Sequence, residues 1–437
     1  MKLVVLANRE PLRRGPKGYE VALGGLAAAL YPLLSRLGGV WVAWGPGGED
    51  EDVSLSGVRV LRVPLSPALV AGYYRGYANQ GLWPLFHLFL EKFRHKGAWW
   101  RRYREVNRRF AARAFAAGGE EALYWVHDYH LALAPAELRA LGARRVGVFW
   151  HIPWPPLEAF SVLPEAKELL AGLLGADLVG FHTEEYAERF REAAKALLGA
   201  EVAGDEVVHA GRRVRVGAFP IGVDVSGLLL ARKRIENRAE EIRRTLGRRL
   251  IVGADRLDYT KGVVERIKAY RLFLEKNPWA REKVLFIQLA APSREDLPEY
   301  RRYRARVERL AKSLSRRFPG AFELRYQALA RDELLAHFAA SELALVTPLR
   351  DGMNLVALEY ALVSEGLPLV SRFAGVARYL KGAPLVNPYD VEGLSEEIAR
   401  ALALSPEKRR SLWREVFDHA KKLDVGRWAE GFLGALS

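Results

Sequence analysis

Arg256 and Lys261 stand five residues apart in the run Asp255-Arg256-Leu257-Asp258-Tyr259-Thr260-Lys261-Gly262, between an apolar stretch at 250–254 and a helical pattern that opens after Gly262. A planar guanidinium, a compact ammonium and a helix N-terminus can converge there on one diphosphate and neutralise a phosphate leaving group. Two ordinary surface cations would give the same spacing, and the G-x-x-x-x-G-K-[ST] pattern of a Walker loop is absent. A second candidate is 343–362, LALVTPLRDGMNLVALEYAL, in which an apolar run meets a Pro/Arg/Asp/Gly turn and then a helical pattern opening near Asn354. Backbone N–H groups at such a helix start suit a phosphate or a sugar hydroxyl, and Gly352 lets a ligand approach closely. Asp351 and Glu359 are carboxylates able to accept sugar hydroxyls.

Further polar residues sit at the ends of other apolar runs. Arg9 and Arg294 fall in opposite halves of the chain and, with Tyr74 and Trp83 nearby, could hold a second phosphate. Trp41, Trp44, Trp83 and Trp100 read by default as core or interface residues unless a polar partner marks one as a ligand contact. Asp128 and His151 could form an acid/base pair, or each could hydrogen-bond a sugar hydroxyl without proton transfer. Asp50-Glu51-Asp52 looks like a metal–nucleotide motif, but it follows Gly47-Gly48 without a strand and reads as a solvated turn.

The elements that must position these residues alternate. Strand-like runs at 3–6, 40–44, 58–63, 123–127, 146–150, 177–181 and 213–219 are separated by longer helical patterns, with a Gly24-Gly25 pair opening one of them. After a break at 220–226 and a charged helix at 228–246, runs at 250–254, 283–290, 322–326, 343–347, 367–371 and 385–386 repeat the alternation. The pattern predicts a doubly wound α/β architecture in two similar Rossmann-like domains, 1–224 and 225–415, with the segment at about 416–437 packing back on the first. In such sheets ligands lie beyond the carboxyl ends of the strands, where Arg9, Asp128, His151, Arg256 and Arg294 all fall.

Bulk properties narrow the function classes. At 437 residues, half of them hydrophobic, the chain is long enough for two cores. No stretch of about 18 apolar residues occurs, and MKLVVLANRE lacks the features of a signal peptide, so a soluble cytoplasmic protein without membrane contact is expected. The absence of cysteine excludes disulfides, thiolate zinc sites and a cysteine nucleophile, and with two methionines it fits an origin in a hot environment. The net charge of +15 is spread over helices that also carry Glu, which favours attraction of anionic metabolites over binding of nucleic acid.

Taken in order, ANREP, Gly24-Gly25, YYRGYANQGLWPLFH at 73–87, WVHDYHL at 125–131, FWHIPWP at 149–155, DRLDYTKG, APSR at 291–294, TPLRDGMNLVALEY at 347–360 and VNPYD at 386–390 resemble the trehalose-6-phosphate synthase family over nearly the whole chain. The resemblance implies a retaining glycosyltransferase of family 20 with the GT-B fold, two facing Rossmann-like domains with a cleft between them. It implies transfer of glucose from a nucleotide-glucose, UDP-glucose favoured, to glucose 6-phosphate, without a metal or other cofactor. Arg256 and Lys261 would hold the donor diphosphate. Asp351, Gly352, Met353 and Asn354 would cradle its glucose, Leu355, Val356 and Glu359 would meet phosphate and ribose, Ala330 would lie at the base, and Gly24 and Gly25 would approach from the first domain. Arg9, Trp44, Tyr74, Trp83 and Arg294 would bind the acceptor, with Asp128 and His151 beside the reaction centre. ANREP departs from the family's usual SNR start, and the loop at 13–17 is short and basic. A sister activity on glycerol 3-phosphate, a non-catalytic sugar-phosphate sensor and a basic RNA-binding protein are the rivals. A separate trehalose-6-phosphate phosphatase would follow in the pathway, and a homo-oligomer is compatible with the sequence.

Overall fold

The computed structural model describes residues 2–15, 18–21, 25–45 and 52–436. It divides into two compact units, 1–220 with 426–437, and 221–425.

In the first unit, seven parallel strands run in spatial order Arg212–Ala218, Leu178–Phe181, Arg145–Phe149, Leu123–His127, Leu3–Arg9, Val40–Trp44 and Val58–Arg62. The central strands Leu3–Arg9, Val40–Trp44, Leu123–His127, Arg145–Phe149 and Leu178–Phe181 are buried on both faces, which is why they read as apolar runs, whereas Arg212–Ala218 alternates buried and exposed residues. Antiparallel strands Glu201–Ala203 and Glu206–His209 extend one edge, and Val53–Leu55 the other. The last helix, Val425–Leu436, lays Phe432 on this sheet, stacked at 5.0 Å on Trp125. A Cβ at Gly180 would come within 2.6 Å of the Phe432 ring, so the strand needs glycine there.

The second unit is a six-stranded parallel sheet in the order Phe322–Tyr326, Val284–Ala291, Arg249–Arg256, Leu343–Val346, Leu367–Ser371 and Leu385–Val386. Numbered along the chain this is 3-2-1-4-5-6, the dinucleotide-fold order, and the winding direction reverses between Arg249–Arg256 and Leu343–Val346. Ile251, Phe286, Leu345 and Leu369 from its strands pack with Ile267, Phe273, Val307 and Ile398 from its helices.

Several elements differ from the sequence expectation. The charged helix at 228–246 is two helices, Val225–Arg234 and Glu236–Leu246, broken at the buried Ile235. The aromatic-rich segment 73–89, which reads from the sequence as loop and helix, contains a π-helix, Ala71–Leu82. It packs closely on Gly97–Gly118, since a Cβ at Gly76 would sit 2.5 Å from the Trp99 ring. A hairpin, Leu12–Gly15 with Gly18–Val21, occupies part of the short basic loop. No helix among the described residues is long and apolar enough to cross a membrane.

Candidate active site

At the reversal point of the second unit, two strand-end loops meet. Arg249–Arg256 runs into a short 3-10 turn, Tyr259–Lys261, then into the helix Val263–Lys276 through Gly262, whose φ is +67°. Only glycine serves there, because a Cβ would also lie 2.3 Å from the Thr347 carbonyl oxygen. Leu343–Val346 runs into the loop 347–354 and then the helix Leu355–Val363. The loops are tied together: Leu349 N–H donates to the Thr260 carbonyl at 2.8 Å, and Lys261 Nζ contacts Asp351 Oδ2. Asn354 Nδ2 reaches the same carboxylate oxygen at 3.1 Å. Thus Lys261, Asp351 and Asn354 form one group, with Gly352 and Met353 in the loop between them, and the unpaired N–H groups of the first helical turn at Leu355 and Val356 beside them. Arg256, at the end of its strand, is exposed.

Glu359, one turn further along that helix, accepts from Arg331 Nη2 at 2.7 Å. Arg331 opens the helix Arg331–Ala340 immediately after Ala330, its N-cap residue. Beneath the loops Arg266 is wholly buried and donates to Asp255 Oδ2 at 2.6 Å, Gln288 Oε1 at 2.8 Å and Thr347 Oγ1 at 3.0 Å. Burial pushes the Asp255 carboxyl up even though Arg266 and Lys261 oppose it. Such a network, satisfied on every side, locks both strand ends in place.

Arg294 also belongs to this unit, in a left-handed backbone conformation at φ +46°. Its guanidinium contacts Tyr300 Oη and lies 3.5 Å from Asp258 Oδ2. Asp258 is fully buried and accepts from Thr260 N–H, Thr260 Oγ1 and Tyr300 Oη, each at 2.9 Å. Burial alone would raise its pKa, but Arg294 and Arg256 outweigh that and hold it below the usual carboxylate range.

In the first unit the sheet's own reversal point, between Leu3–Arg9 and Leu123–His127, carries the other group. Arg9 Nη2 donates to Tyr74 Oη at 2.7 Å, and Tyr74 lies against Trp44 at 5.4 Å and His130 at 5.9 Å. Trp83 is buried among His87 and Tyr129, a packed position, while Trp44 keeps partial exposure. Asp128 follows its strand at φ +71°, ψ 172°, a conformation close to glycine-only. Its Oδ1 accepts the backbone N–H of His151 at 3.1 Å, whereas the His151 ring pairs with His127 Nδ1 at 3.1 Å. Burial first, and then His127 and His182, push the His151 pKa well below its ordinary value, and burial takes His127 down to about 3. Both imidazoles are therefore neutral at physiological pH.

Among the described residues six non-glycine residues have positive φ, and Asp128, Arg294 and Asn354 are three of them. Strain of about 1–3 kcal/mol per residue persists where the surroundings fix it, commonly at ligand sites. Gly24 lies outside the described residues, and Gly25 is the first residue of the helix Gly25–Leu37. Asp50 and Glu51 also lie outside them, while Asp52 pairs with Arg113 at 2.6 Å, in keeping with a surface turn. No group of three or more His, Cys, Asp or Glu suited to a metal ion occurs among the described residues. Asp258, Arg266, Tyr300 and Arg331 were not singled out from the sequence.

The model of glycosyltransferase family 20 matches residues 2–437. A trehalose-6-phosphate synthase of Mycobacterium avium (strain 104) is 42% identical over 472 residues, covering 99% of this chain and 95% of its own. Among solved structures, the E. coli protein bound with UDP-2-fluoro glucose superposes with a TM-score of 0.92 at 31% identity, covering 100% of this chain and 99% of its own. The Burkholderia xenovorans α,α-trehalose-phosphate synthase (UDP-forming) in complex with glucose-6-phosphate gives a TM-score of 0.92 at 32% identity, covering 99% of each. With the family model matched over residues 2–437, a relative 42% identical over 99% of this chain and two α/β units of the GT-B class, the chain belongs to glycosyltransferase family 20.

Proposed function

We propose that the chain transfers glucose from UDP-glucose to O1 of glucose 6-phosphate with retention at the anomeric carbon, forming α,α-trehalose 6-phosphate. The observation that carries this reading is the group formed by Lys261, Asp351 and Asn354 at the reversal point, with Arg256 on the same strand end. Arg256 and Lys261 stabilise the departing diphosphate. Loop 351–354 meets the donor glucose, the Leu355 and Val356 amides and Glu359 meet phosphate and ribose, and Ala330 lies at the base. Charge neutralisation by two cations and a helix N-terminus gives the leaving group its stabilisation without assigning a step to a metal.

Arg9, Trp44, Tyr74 and Arg294 serve the acceptor, with Trp83 behind them as packing. The acceptor hydroxyl attacks from the face of the leaving group and gives its proton to a leaving phosphate oxygen. His151 is a neutral hydrogen-bonding group for the acceptor rather than half of an acid/base pair, because its ring faces His127 and Asp128 holds its backbone. Gly25 and Gly24 remain assigned to the donor on the motif alone.

A cytoplasmic setting belongs to this reading, since both substrates are charged metabolites, and so does a separate phosphatase that consumes the product. A homo-oligomer is compatible with it. The composition, free of cysteine and rich in Arg and Glu, supports a working temperature above the mesophilic range, with an expected Tm above about 65 °C.

The deciding experiment incubates the protein with several nucleotide-glucoses, each with glucose 6-phosphate or glycerol 3-phosphate, and identifies the product. Trehalose 6-phosphate from UDP-glucose is expected. Turnover with glycerol 3-phosphate alone would overturn the acceptor assignment, and binding without turnover would make the protein a sensor.

A further inference from the structure

The amino ends of the strands in the second unit, opposite the loops described above, border an open cavity of about 680 Å³. Its wall includes the start of Arg249–Arg256, the residues immediately before Val284–Ala291, Leu343–Val346 and Leu367–Ser371, and the first turn of the helix Pro406–Ala420. Six lining side chains are cationic, Arg243, Arg248, Arg249, Lys283, Arg409 and Arg410, against three acidic ones, Glu282, Glu342 and Glu365.

The acids do not balance the cations locally. Glu342 serves two of them at once, accepting from Arg249 Nη2 at 2.8 Å and from Arg409 Nη1 at 2.6 Å. Glu365 is engaged by Arg232, which is not part of the wall, at 2.7 Å. Arg409 Nε is buried without a hydrogen-bond partner. Among the described residues the side chains of Lys283 and Arg410 make no hydrogen bond or ion pair of 4.0 Å or less, Glu407 being the acid that feels the Arg410 charge, and both are exposed. Two exposed cations without a hydrogen-bonded side-chain partner therefore border a concave volume whose lining carries an excess of positive charge. Volumes of about 300–1,000 Å³ suit small ligands, and the charge selects anions.

We propose that this cavity is a second ligand site, which binds a compact metabolite carrying two or more phosphate charges. Lys283 and Arg410 meet the phosphates at the rim. The proposal is independent of the transferase reading, because none of these residues belongs to the group around Lys261.

The test is calorimetric titration at 0.15 M salt with inorganic pyrophosphate and, in a second arm, a hexose bisphosphate. Three proteins are compared: the unaltered chain, Lys283→Gln/Arg410→Gln, and Arg256→Gln/Lys261→Gln. Both cations of the first pair are exposed and unpaired, so that variant is expected to keep its Tm. The unaltered chain should bind at least one probe with a Kd below about 1 mM. Lys283→Gln/Arg410→Gln should weaken that event by about tenfold or more, as expected when charged hydrogen bonds are lost, and Arg256→Gln/Lys261→Gln should retain it. The tighter arm identifies the source of the phosphates. An affinity unchanged by Lys283→Gln/Arg410→Gln, or no binding below about 1 mM in either arm, would overturn the proposal. Tighter binding of a short single-stranded RNA that displaces pyrophosphate would also overturn it.

Discussion

Lys261 and Asp351, 90 residues apart in the chain, meet through Nζ and Oδ2 across the reversal point of the second sheet. Both are largely buried, at 14% and 16% side-chain exposure, so removing either leaves a charge poorly solvated. Lys261→Ala is expected to lower kcat by about 100-fold or more, as for loss of one donor aimed at developing charge, and Arg256→Ala should do likewise. A double-mutant cycle on denaturant stability with Lys261→Ala and Asp351→Ala should give a coupling of about 1 kcal/mol, within the range for residues in contact. Near-normal turnover in both cation variants would remove these residues from the mechanism.

Arg331 fixes one oxygen of Glu359 at 2.7 Å and leaves the other available to a ligand. If Glu359 reads the ribose, Glu359→Gln should raise KM for the nucleotide-sugar by about tenfold, the equivalent of about 1.4 kcal/mol, with kcat little changed. Arg331→Ala should act in the same direction more weakly, through loss of orientation. Steady-state kinetics with the nucleotide-sugar as the varied substrate separate these outcomes, and unchanged KM in Glu359→Gln would move the ribose contact elsewhere.

The sequence made the parallel sheets legible because strands buried on both faces are continuous apolar runs. Val40–Trp44, Leu123–His127 and Leu367–Ser371 end where the composition changes. The edge strands Glu201–Ala203 and Glu206–His209 are only three and four residues long, too short for an apolar run to announce them. The π-helix Ala71–Leu82 has no 3.6-residue stripe to detect, and the space its glycines leave for Trp99 and Arg102 exists only in three dimensions. The candidate site residues at strand ends could be picked out because the strand ends themselves were legible. Arg266 was not, since an Arg on a helix bearing Glu265 and Lys268 looks like a solvated face until the neighbouring strands bury it. Asp258 lay inside a recognised motif, but its hold on Arg294 and Tyr300 joins segments more than thirty residues apart, as the Tyr300 separation of 42 shows.

The histidines of the first unit give stability a pH dependence with a definite sign. His127 titrates at about 3 in the folded chain and His151 well below its ordinary value, both because burial disfavours the charged ring, whereas an unfolded imidazole titrates near about 6.5. Between those limits the unfolded chain binds more protons, so stability rises with pH there. The contribution is complete above about pH 7 and lost progressively as pH falls from about 6.5 towards 3. Thermal melts at pH 8, 7, 6 and 5 should show a plateau followed by a decline, and His127→Asn should flatten the acid limb. An equal acid slope in the variant would assign that decline to other groups.

Gly375 supports the donor loop from behind. Its N–H donates to the Asp351 carbonyl at 3.2 Å, Val376 N–H donates to the Met353 carbonyl at 2.9 Å, and Asp351 N–H donates to Phe373 at 3.2 Å. A Cβ at Gly375 would lie 2.0 Å from the Gly352 carbonyl oxygen, a backbone atom that can yield only if the loop itself moves. Overpacking of this kind costs about 1–3 kcal/mol, too little by itself to unfold a stable domain, yet the displaced residues are those assigned to the sugar. Gly375→Ala is therefore expected to remain folded by circular dichroism while losing turnover by about tenfold or more, since small misplacements of positioning groups are costly to rate. Gly431→Ala, where a Cβ meets nothing within 4 Å, is the control and should leave activity unchanged. Full activity in Gly375→Ala would show that the loop 351–354 tolerates displacement, and its backbone could then no longer be assigned to reading the donor glucose.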